Sequence, residues 1–243
     1  MQRLALFISG GGTTATAIVN ACKADSGSEI AGIVKPVLVV SSRRDAKGIG
    51  RVLETGQLAP ADVKVIRPRD FESAAAFGEE LIRHCAERDV NLFGQYGWAV
   101  HTPKNFIARF HRGVNQHPCV LSPGNPDFGG PKMLGRTCHA ARLLFVRMTN
   151  RDFWTRAVAQ RVDPEYDKGA ILRQENVEIL PSDDVDTLAA RVLPVEHRVQ
   201  IQTLADFAHA RVTEIPGEEI VRPHEMYAWC LACEMAKLAY PKS

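Results

Sequence analysis

The stretch Val114–Pro118 reads V-N-Q-H-P and places a carboxamide, Asn115, two residues before an imidazole, His117. Residues two apart in a β-strand point to the same side of a sheet, and α/β proteins build their sites at the carboxyl ends of parallel strands. Histidine changes charge near neutral pH and a carboxamide donates hydrogen bonds, so the pair suits stabilisation of a negatively charged oxygen. A histidine that only caps a loop before a proline fits the same spacing.

Three glycines, Gly10 to Gly12, follow the apolar run Arg3–Ser9 and precede a segment of helical composition. A strand, a tight turn and a helix in this order bring backbone N–H groups and the positive end of a helix to one place, which suits phosphate or carboxylate. Gly10, Gly12 and Ala15 also satisfy the loose dinucleotide pattern G-x-G-x-x-A. Glycines that only shape the turn would give the same sequence.

The second apolar run is followed by Arg43-Arg44, where chains that bind NAD carry an acidic residue. An arginine at this place suits the 2′-phosphate of NADP. An NADP-binding oxidoreductase is therefore a competing hypothesis, with a solvated loop as the simpler interpretation of the two arginines.

The elements around these residues alternate between strands and helices. Four short apolar runs predict strands at Arg3–Ser9, Pro36–Ser41, Val63–Ile66 and Val90–Phe93. Between them the sequence predicts helices over Thr13–Cys22, Asp45–Glu54 and Phe71–Arg88, the last with Asp70 as its N-cap. Such alternation is typical of an α/β domain with a largely parallel sheet.

The pattern changes after residue 113. A short strand over Gly113–Asn115 leads into a loop over residues 117–135 that is rich in Pro and Gly. Further helices are expected over Cys138–Met148, Asp184–Arg211 and Glu225–Leu238. The segments Thr155–Val162 and Ala170–Ile179 flank the acidic turn Asp163–Gly169, and Pro194 should kink or break the helix that contains it.

Composition excludes several classes of protein. The chain has 243 residues, and 30 Lys plus Arg against 28 Asp plus Glu leave a net charge of only +2. This balance argues against a generic nucleic-acid binder, and the apolar runs are too short to span a membrane. Residues 1–12 are typical of a buried strand and not of a signal peptide. Six scattered cysteines favour a reducing, cytoplasmic location.

Five segments occur in the order and spacing of the folate-dependent formyltransferases. They are Ser9–Ile18, Val39–Gly48, Asn115–Leu121, Phe128–His139 and Asp163–Leu172. On these segments the chain resembles that family, and specifically its phosphoribosylglycinamide formyltransferase branch, over about residues 3–211. The N-x-H-P motif and the later D-x-x-x-D-x-G turn are the specific part of the resemblance.

The resemblance implies a fold and an activity. The fold is α/β and Rossmann-like, a mostly parallel twisted sheet with helices on both faces. It forms one formyltransferase domain over residues 1–211, followed by a C-terminal linker and helix over residues 212–243. The activity is transfer of a formyl group from 10-formyltetrahydrofolate to the amine of glycinamide ribonucleotide in purine biosynthesis. No metal ion is expected, and we expect the tail to be dispensable for the chemistry.

The resemblance also assigns roles to residues. Asn115, His117 and Asp167 correspond to the family's catalytic residues. Asn115 would donate a hydrogen bond to the oxyanion of a tetrahedral intermediate, and protonated His117 would supply positive charge. The carboxylate of Asp167 would favour the imidazolium and fix the orientation of the ring.

The remaining assignments concern the two substrates. The acceptor-binding residues implied are Gly12, Thr13 and Thr14 for the phosphate, Glu196 for the ribose hydroxyls, and Pro118 beside His117. The folate-binding residues implied are Trp98, Ala99, Val100, His101 and Asp163.

Several positions depart from the family pattern. Thr14 lacks the amide of the asparagine usual in the phosphate turn, and Lys168 follows Asp167 where a small residue is usual. Gln160 stands where a histidine often does, and Ala74 replaces a basic residue expected near the folate tail. These changes leave the chemistry intact and bear on the choice of acceptor.

Three hypotheses therefore follow from the sequence. The first is the formyltransferase, acting on glycinamide ribonucleotide or on another amine such as an amino-sugar nucleotide. The second is the NADP-binding oxidoreductase, and the third is a catalytically silent binding module. In every case we expect small-molecule ligands, no nucleic-acid or membrane partner, and a possible homodimer.

Overall fold

The structure is a computed structural model that describes residues 1–241. Its seven strands form one sheet in the order β3-β2-β1-β4-β5-β6-β7. The strands are β1 (Gln2–Ile8), β2 (Val34–Ser41), β3 (Val63–Val65), β4 (Leu92–Gln95), β5 (Gly113–His117), β6 (Trp154–Arg161) and β7 (Ile171–Glu178). The pairs β1·β2, β1·β4, β2·β3 and β4·β5 are parallel, and β6·β7 is antiparallel. The Rossmann-like, mostly parallel α/β sheet is thereby confirmed.

Seven α-helices accompany the sheet in the described part of the chain. They are α1 (Thr13–Ala21), α2 (Lys47–Leu53), α3 (Ala74–Ala86), α4 (Lys104–Arg109), α5 (Arg136–Thr149), α6 (Val185–Ala208) and α7 (Met226–Ala239). None of these helices is long and apolar enough to cross a membrane.

The chain divides into two compact units. The first contains Met1–Gln116 and Gln200–Val212, and the second contains His117–Val199 together with the described residues after Val212. The tail of residues 213–241 therefore belongs to the second unit. A domain boundary between residues 211 and 212 stays a prediction.

The core of the first unit forms around β1. Leu4–Ile8 is completely buried, which explains its continuous apolar sequence, since a parallel strand covered on both faces has no solvent side. The Phe7 ring lies 5.5 Å from that of Phe93 and 5.4 Å from that of Phe106 between centroids. These aromatic contacts join β1, β4 and α4 and fix the edge at which the glycine turn begins.

In the second unit, Leu121, Val158 and Ile171 form a buried cluster that Ile215 of the tail covers. The tail also buries residues of its own, among them Ile220, Val221, Ala232 and Ala236. Removing the tail would expose this apolar surface to water at a cost of about 25 cal/mol per Å². These contacts argue against a dispensable tail.

Two expectations about helices are wrong in detail. The helix α3 begins at Ala74 and not at Phe71, and Ser73 is its N-cap, accepting from the Ala76 N–H at 3.0 Å. Asp70 cannot serve as the cap because both its carboxylate oxygens bind the Arg67 guanidinium, at 2.6 and 2.7 Å.

The second expectation concerns Pro194, which does not break α6, since the helix continues from Val185 to Ala208; a kink at this residue stays a prediction. A proline inside a helix removes one hydrogen bond and brings its ring against a carbonyl of the preceding turn, at a cost of about 3 kcal/mol. The side chains of Val192 and Val199 on either side of Pro194 are fully buried. Packing along α6 therefore outweighs the lost bond.

Candidate active site

His117 lies at the carboxyl end of β5 with only 2 % of its side chain exposed. Its Nδ1 lies 3.1 Å from the carbonyl oxygen of Cys119 and 3.3 Å from the N–H of the same residue. A protonated Nδ1 donates to the carbonyl and an unprotonated Nδ1 accepts from the amide, so the backbone at Cys119 holds the ring in either tautomer. The Nε2 atom is left for the chemistry.

Asp167 lies in the turn between β6 and β7, with a backbone φ of 56° and 8 % of its side chain exposed. Its Oδ2 accepts the Gly130 N–H and its Oδ1 accepts the Gln160 side-chain amide, each at 2.8 Å. Two donors on a half-enclosed carboxylate fix its orientation. The Oδ2 atom lies 3.8 Å from Nε2 of His117.

The close approach of this turn to the loop of residues 118–135 depends on Gly129. A Cβ at this position would lie 2.8 Å from Cβ of Asp167 and 2.5 Å from a methyl group of Leu121. No side chain fits there without moving one of these neighbours. The glycine therefore allows the Gly130 N–H to reach the carboxylate.

Three further ionisable residues of the second unit lie in this region. Burial and, secondarily, the charge of His117 lower the pKa of His139 to about 4, so the His139 ring is neutral near pH 7. Burial, then the nearby Cys119 thiol and the carboxylates of Asp167 and Glu196, raise the pKa of Cys138 well above its usual value. Glu196 itself is 5 % exposed on α6.

Asn115 occupies β5 two residues before His117, with its backbone opposite Gln95 of β4. The alternation of side chains along a strand places Asn115 and His117 on one face. Pro118, which follows the histidine, is half-buried at the start of the loop.

The glycine turn lies in the first unit. Gly12 is the N-cap of α1 with a φ of 65°, and a Cβ there would lie 2.5 Å from Cα of Gly48. The glycine is therefore required for close packing of the turn on α2 as well as for its left-handed conformation. Thr13 is half-buried, and Thr14 is only 3 % exposed, so the Thr14 side chain belongs to the core.

Arg51 of α2 also contacts the glycine turn, a contact that the sequence did not predict. Its Nη1 donates to the Gly11 carbonyl oxygen at 2.8 Å while the side chain remains exposed. Nothing in the local sequence signals this contact, because it joins residues 40 positions apart.

The segment assigned to folate binding also lies in the first unit. The Trp98 ring is 7 % exposed, packs 5.1 Å from the Phe7 ring between centroids, and donates from Nε1 to the Thr102 hydroxyl at 3.1 Å. These contacts make Trp98 part of the core of the first unit. Its role toward folate stays a prediction.

The other residues assigned to folate binding are more accessible. Ala99 and His101 are exposed and Val100 is half-buried. Asp163, in the second unit, is exposed and accepts the Glu165 N–H at 2.8 Å, which shapes the acidic turn. Within residues 1–241, no three His, Cys, Asp or Glu side chains are placed to hold a metal ion; a reaction without metal stays a prediction.

Comparison with known proteins gives a consistent family. The formyl transferase family model matches residues 2–204. The phosphoribosylglycinamide formyltransferase of Escherichia coli (strain K12) is 26% identical over 94% of this chain and 93% of its own length. A crystal structure of glycinamide ribonucleotide transformylase 1 from Symbiobacterium toebii superposes with a TM-score of 0.72 at 26% identity, covering 88% of this chain and 91% of that one.

One relative is much longer. The trifunctional purine biosynthetic protein adenosine-3 of Drosophila pseudoobscura pseudoobscura is 29% identical over 89% of this chain, which spans only 15% of that protein.

The match to the family model covers most of the present sequence, including β1 to β7 and both segments that carry the candidate catalytic side chains. The chain belongs to the formyl transferase family.

Proposed function

We propose that this protein transfers the formyl group of 10-formyltetrahydrofolate to the amine of glycinamide ribonucleotide, a step of purine biosynthesis. The observation that carries the proposal is the pair of buried His117 and half-buried Asp167, 3.8 Å apart, on the family's N-x-H-P and D-x-x-x-D-x-G motifs. The names of the similar proteins from E. coli and S. toebii supply the choice of acceptor.

In this reaction the amine nitrogen forms a bond to the formyl carbon, and the bond from that carbon to the folate nitrogen breaks. The intermediate carries a negative oxygen. Asn115 donates a hydrogen bond to that oxygen and protonated His117 places positive charge beside it, which lowers the barrier because both groups interact with charge that develops in the transition state.

The proton lost by the amine must reach the departing folate nitrogen. A carboxylate oriented by two donors is a suitable acceptor, and Asp167 has that arrangement through Gly130 and Gln160. At 3.8 Å from Nε2 of His117, Oδ2 is too far for a direct hydrogen bond. A water molecule bound by Asp167 would carry the proton.

The glycine turn would bind the phosphate of the acceptor through backbone N–H groups at the start of α1. The Thr14 side chain is only 3 % exposed, so it does not take the place of the asparagine amide. The exposed guanidinium of Arg51, anchored on the Gly11 carbonyl, supplies positive charge at the turn. We infer that Arg51 compensates for the missing asparagine amide.

The remaining assignments follow the family. Glu196 would bind the ribose hydroxyls, and Trp98, Ala99, Val100, His101 and Asp163 would line the pterin pocket.

A folate-derived formyl donor fits the family, and 10-formyltetrahydrofolate is our choice among such donors. A cytoplasmic location and a homodimer also stay predictions.

The test is a panel of amine acceptors incubated with 10-formyltetrahydrofolate while release of tetrahydrofolate is followed. We expect release that depends on glycinamide ribonucleotide. Release with an amino-sugar nucleotide alone would overturn the acceptor and keep the chemistry. Tight NADPH binding without any formyl transfer would favour the oxidoreductase, and folate binding without transfer would indicate a silent binding module.

A further inference from the structure

We propose that the tail after residue 212 positions the catalytic carboxylate of Asp167, and that Trp229 of α7 is the positioning residue. The tail lies beyond residues 2–204, the part that the family model matches. The inference rests on the proposed function for the role of Asp167. The path between Trp229 and Asp167 is argued from hydrogen bonds within the second unit.

The path begins at the indole of Trp229. Its Nε1–H donates to the backbone carbonyl oxygen of Asp127 at 2.8 Å. This bond connects a helix of the tail to the middle of the loop of residues 118–135. A tryptophan N–H is a donor only, so a phenylalanine at position 229 removes the bond and keeps most of the apolar ring.

The Asp127 side chain then binds loop residues that precede and follow it in sequence. Its carboxylate is buried, with Oδ2 accepting the Ser122 N–H at 2.9 Å and Oδ1 accepting the Gly129 N–H at 3.0 Å. A buried carboxylate that accepts backbone N–H groups is costly to displace. A change in the position of Asp127 is therefore passed to Gly129.

The next residue, Gly130, donates its N–H to Oδ2 of Asp167 at 2.8 Å. The same oxygen faces Nε2 of His117. Because a Cβ at Gly129 would lie 2.8 Å from Cβ of Asp167, the loop and the turn are already in close contact. A displacement of the loop would therefore change the hydrogen bond between the Gly130 N–H and the Asp167 carboxylate.

A cavity makes this hydrogen bond more important than packing alone. The cavity between α7 and the loop has a volume of about 310 Å³, and its lining includes Asp127, Gly129, Met133, Trp229 and Cys233. The cavity is partly open to solvent and large enough to hold water, so the side chains that line it contact water and not α7 on that side. The loop therefore depends on the Trp229 bond for its position where α7 does not fill the space beneath it.

The tail also holds the loop at a second point. The Ser122 hydroxyl donates to the Glu218 carbonyl oxygen and accepts the Glu218 N–H at 2.8 Å. A Cβ at Gly217 would lie 2.4 Å from the Pro123 carbonyl oxygen, so the two backbones touch. Ser122 thus provides a second, independent variant for the same proposal.

The experiment compares Trp229→Phe with Tyr227→Phe in the full chain. Tyr227 lies on the same helix and is 79 % exposed, so its variant controls for an aromatic change on α7. Two measurements are made on folded protein. Steady-state kinetics of formyl transfer give kcat and both KM values, and NMR gives the chemical shift of the Gly130 amide proton. A role limited to stability would lower the melting temperature and leave these quantities unchanged.

We expect Trp229→Phe to lower kcat about five- to tenfold, the value of one hydrogen bond of about 1 kcal/mol. Both KM values should stay within about twofold of wild type, and the Gly130 amide should shift. Tyr227→Phe should match wild type. Unchanged kcat and an unchanged Gly130 amide in folded Trp229→Phe would overturn the proposal.

Two further outcomes are informative. If Trp229→Phe does not fold, Ser122→Ala, which removes both hydroxyl bonds to Glu218, takes its place with the same expectations and the same overturning result. If wild-type protein transfers no formyl group, the proposed function fails. The chemical shift of the Gly130 amide proton then tests the path from Trp229 to Asp167 without any kinetics. A difference between Trp229→Phe and wild type supports the path, and no difference overturns it.

Discussion

Nε2 of His117 lies 3.8 Å from Oδ2 of Asp167, and the two side chains come from the end of β5 and from the turn between β6 and β7. Each partner is fixed by hydrogen bonds to other residues. The imidazole binds the backbone at Cys119, and the carboxylate accepts from Gly130 and Gln160. A pair fixed in this way does not have to be organised when substrate binds, which is the condition for electrostatic catalysis.

Gln160 should be needed for turnover. Its amide donates to Oδ1 of Asp167 at 2.8 Å from a position that is 1 % exposed. Gln160→Leu removes this donor, and a hydrogen bond to a charged group contributes about 1.5–3 kcal/mol, so kcat should fall at least about tenfold. Steady-state kinetics check this. Gln160→His retains an N–H donor and should recover part of the loss; a leucine variant with wild-type kcat would contradict the role.

Arg51 should contribute to acceptor binding and not to folate binding. Its guanidinium is exposed beside the glycine turn, so Arg51→Gln should raise the KM for the phosphorylated acceptor about tenfold, as expected for loss of a charge-assisted contact. The KM for the folate should not change. Arg44→Gln, another exposed arginine, is the matched control. Equal effects of the two variants would show that only the net charge matters.

His139 should make the protein less stable in acid. Its usual pKa of 6.5 is lowered to about 4 in the folded protein, so the folded state favours the neutral ring. Its contribution is fully present above pH 6.5, decreases as the pH falls, and is lost once the pH passes below about 4. At about 1.36 kcal/mol per pKa unit the loss reaches about 3 kcal/mol.

Urea unfolding of wild type and His139→Gln at pH 7.5 and pH 5 measures this contribution. Burial also lowers the pKa of His84 and of His197, so only the difference between the two proteins isolates position 139. We expect the free energy of unfolding of wild type to fall more between the two pH values than that of the variant. A parallel decrease would contradict the assignment.

Part of this site could be predicted from local sequence. The N-x-H spacing places Asn115 and His117 on one face of a strand, because side chains alternate along β5. The buried run in β1 is continuous and apolar because both of its faces are covered. Such features depend on the residues of one segment and on nothing distant.

The rest depends on contacts between segments. The Gly130 N–H that orients Asp167 comes from 37 residues away, and the tail that holds the loop at Asp127 lies 102 residues further on. Asp70 and Ser73 are both good N-cap residues, and the contact of Asp70 with Arg67 decided between them. Sequence spacing contains no signal for these choices.

The proposed roles of His117 and Asp167 are tested most directly by the steady-state kinetics of formyl transfer to glycinamide ribonucleotide by wild type, His117→Ala and Asp167→Asn. Glu165→Gln, an exposed position in the same acidic turn, is the control. We expect the two site variants to lose about 10²–10³-fold in kcat with little change in either KM, because both groups interact with charge in the transition state. Near-full turnover by either variant, with the control unchanged, would contradict these roles.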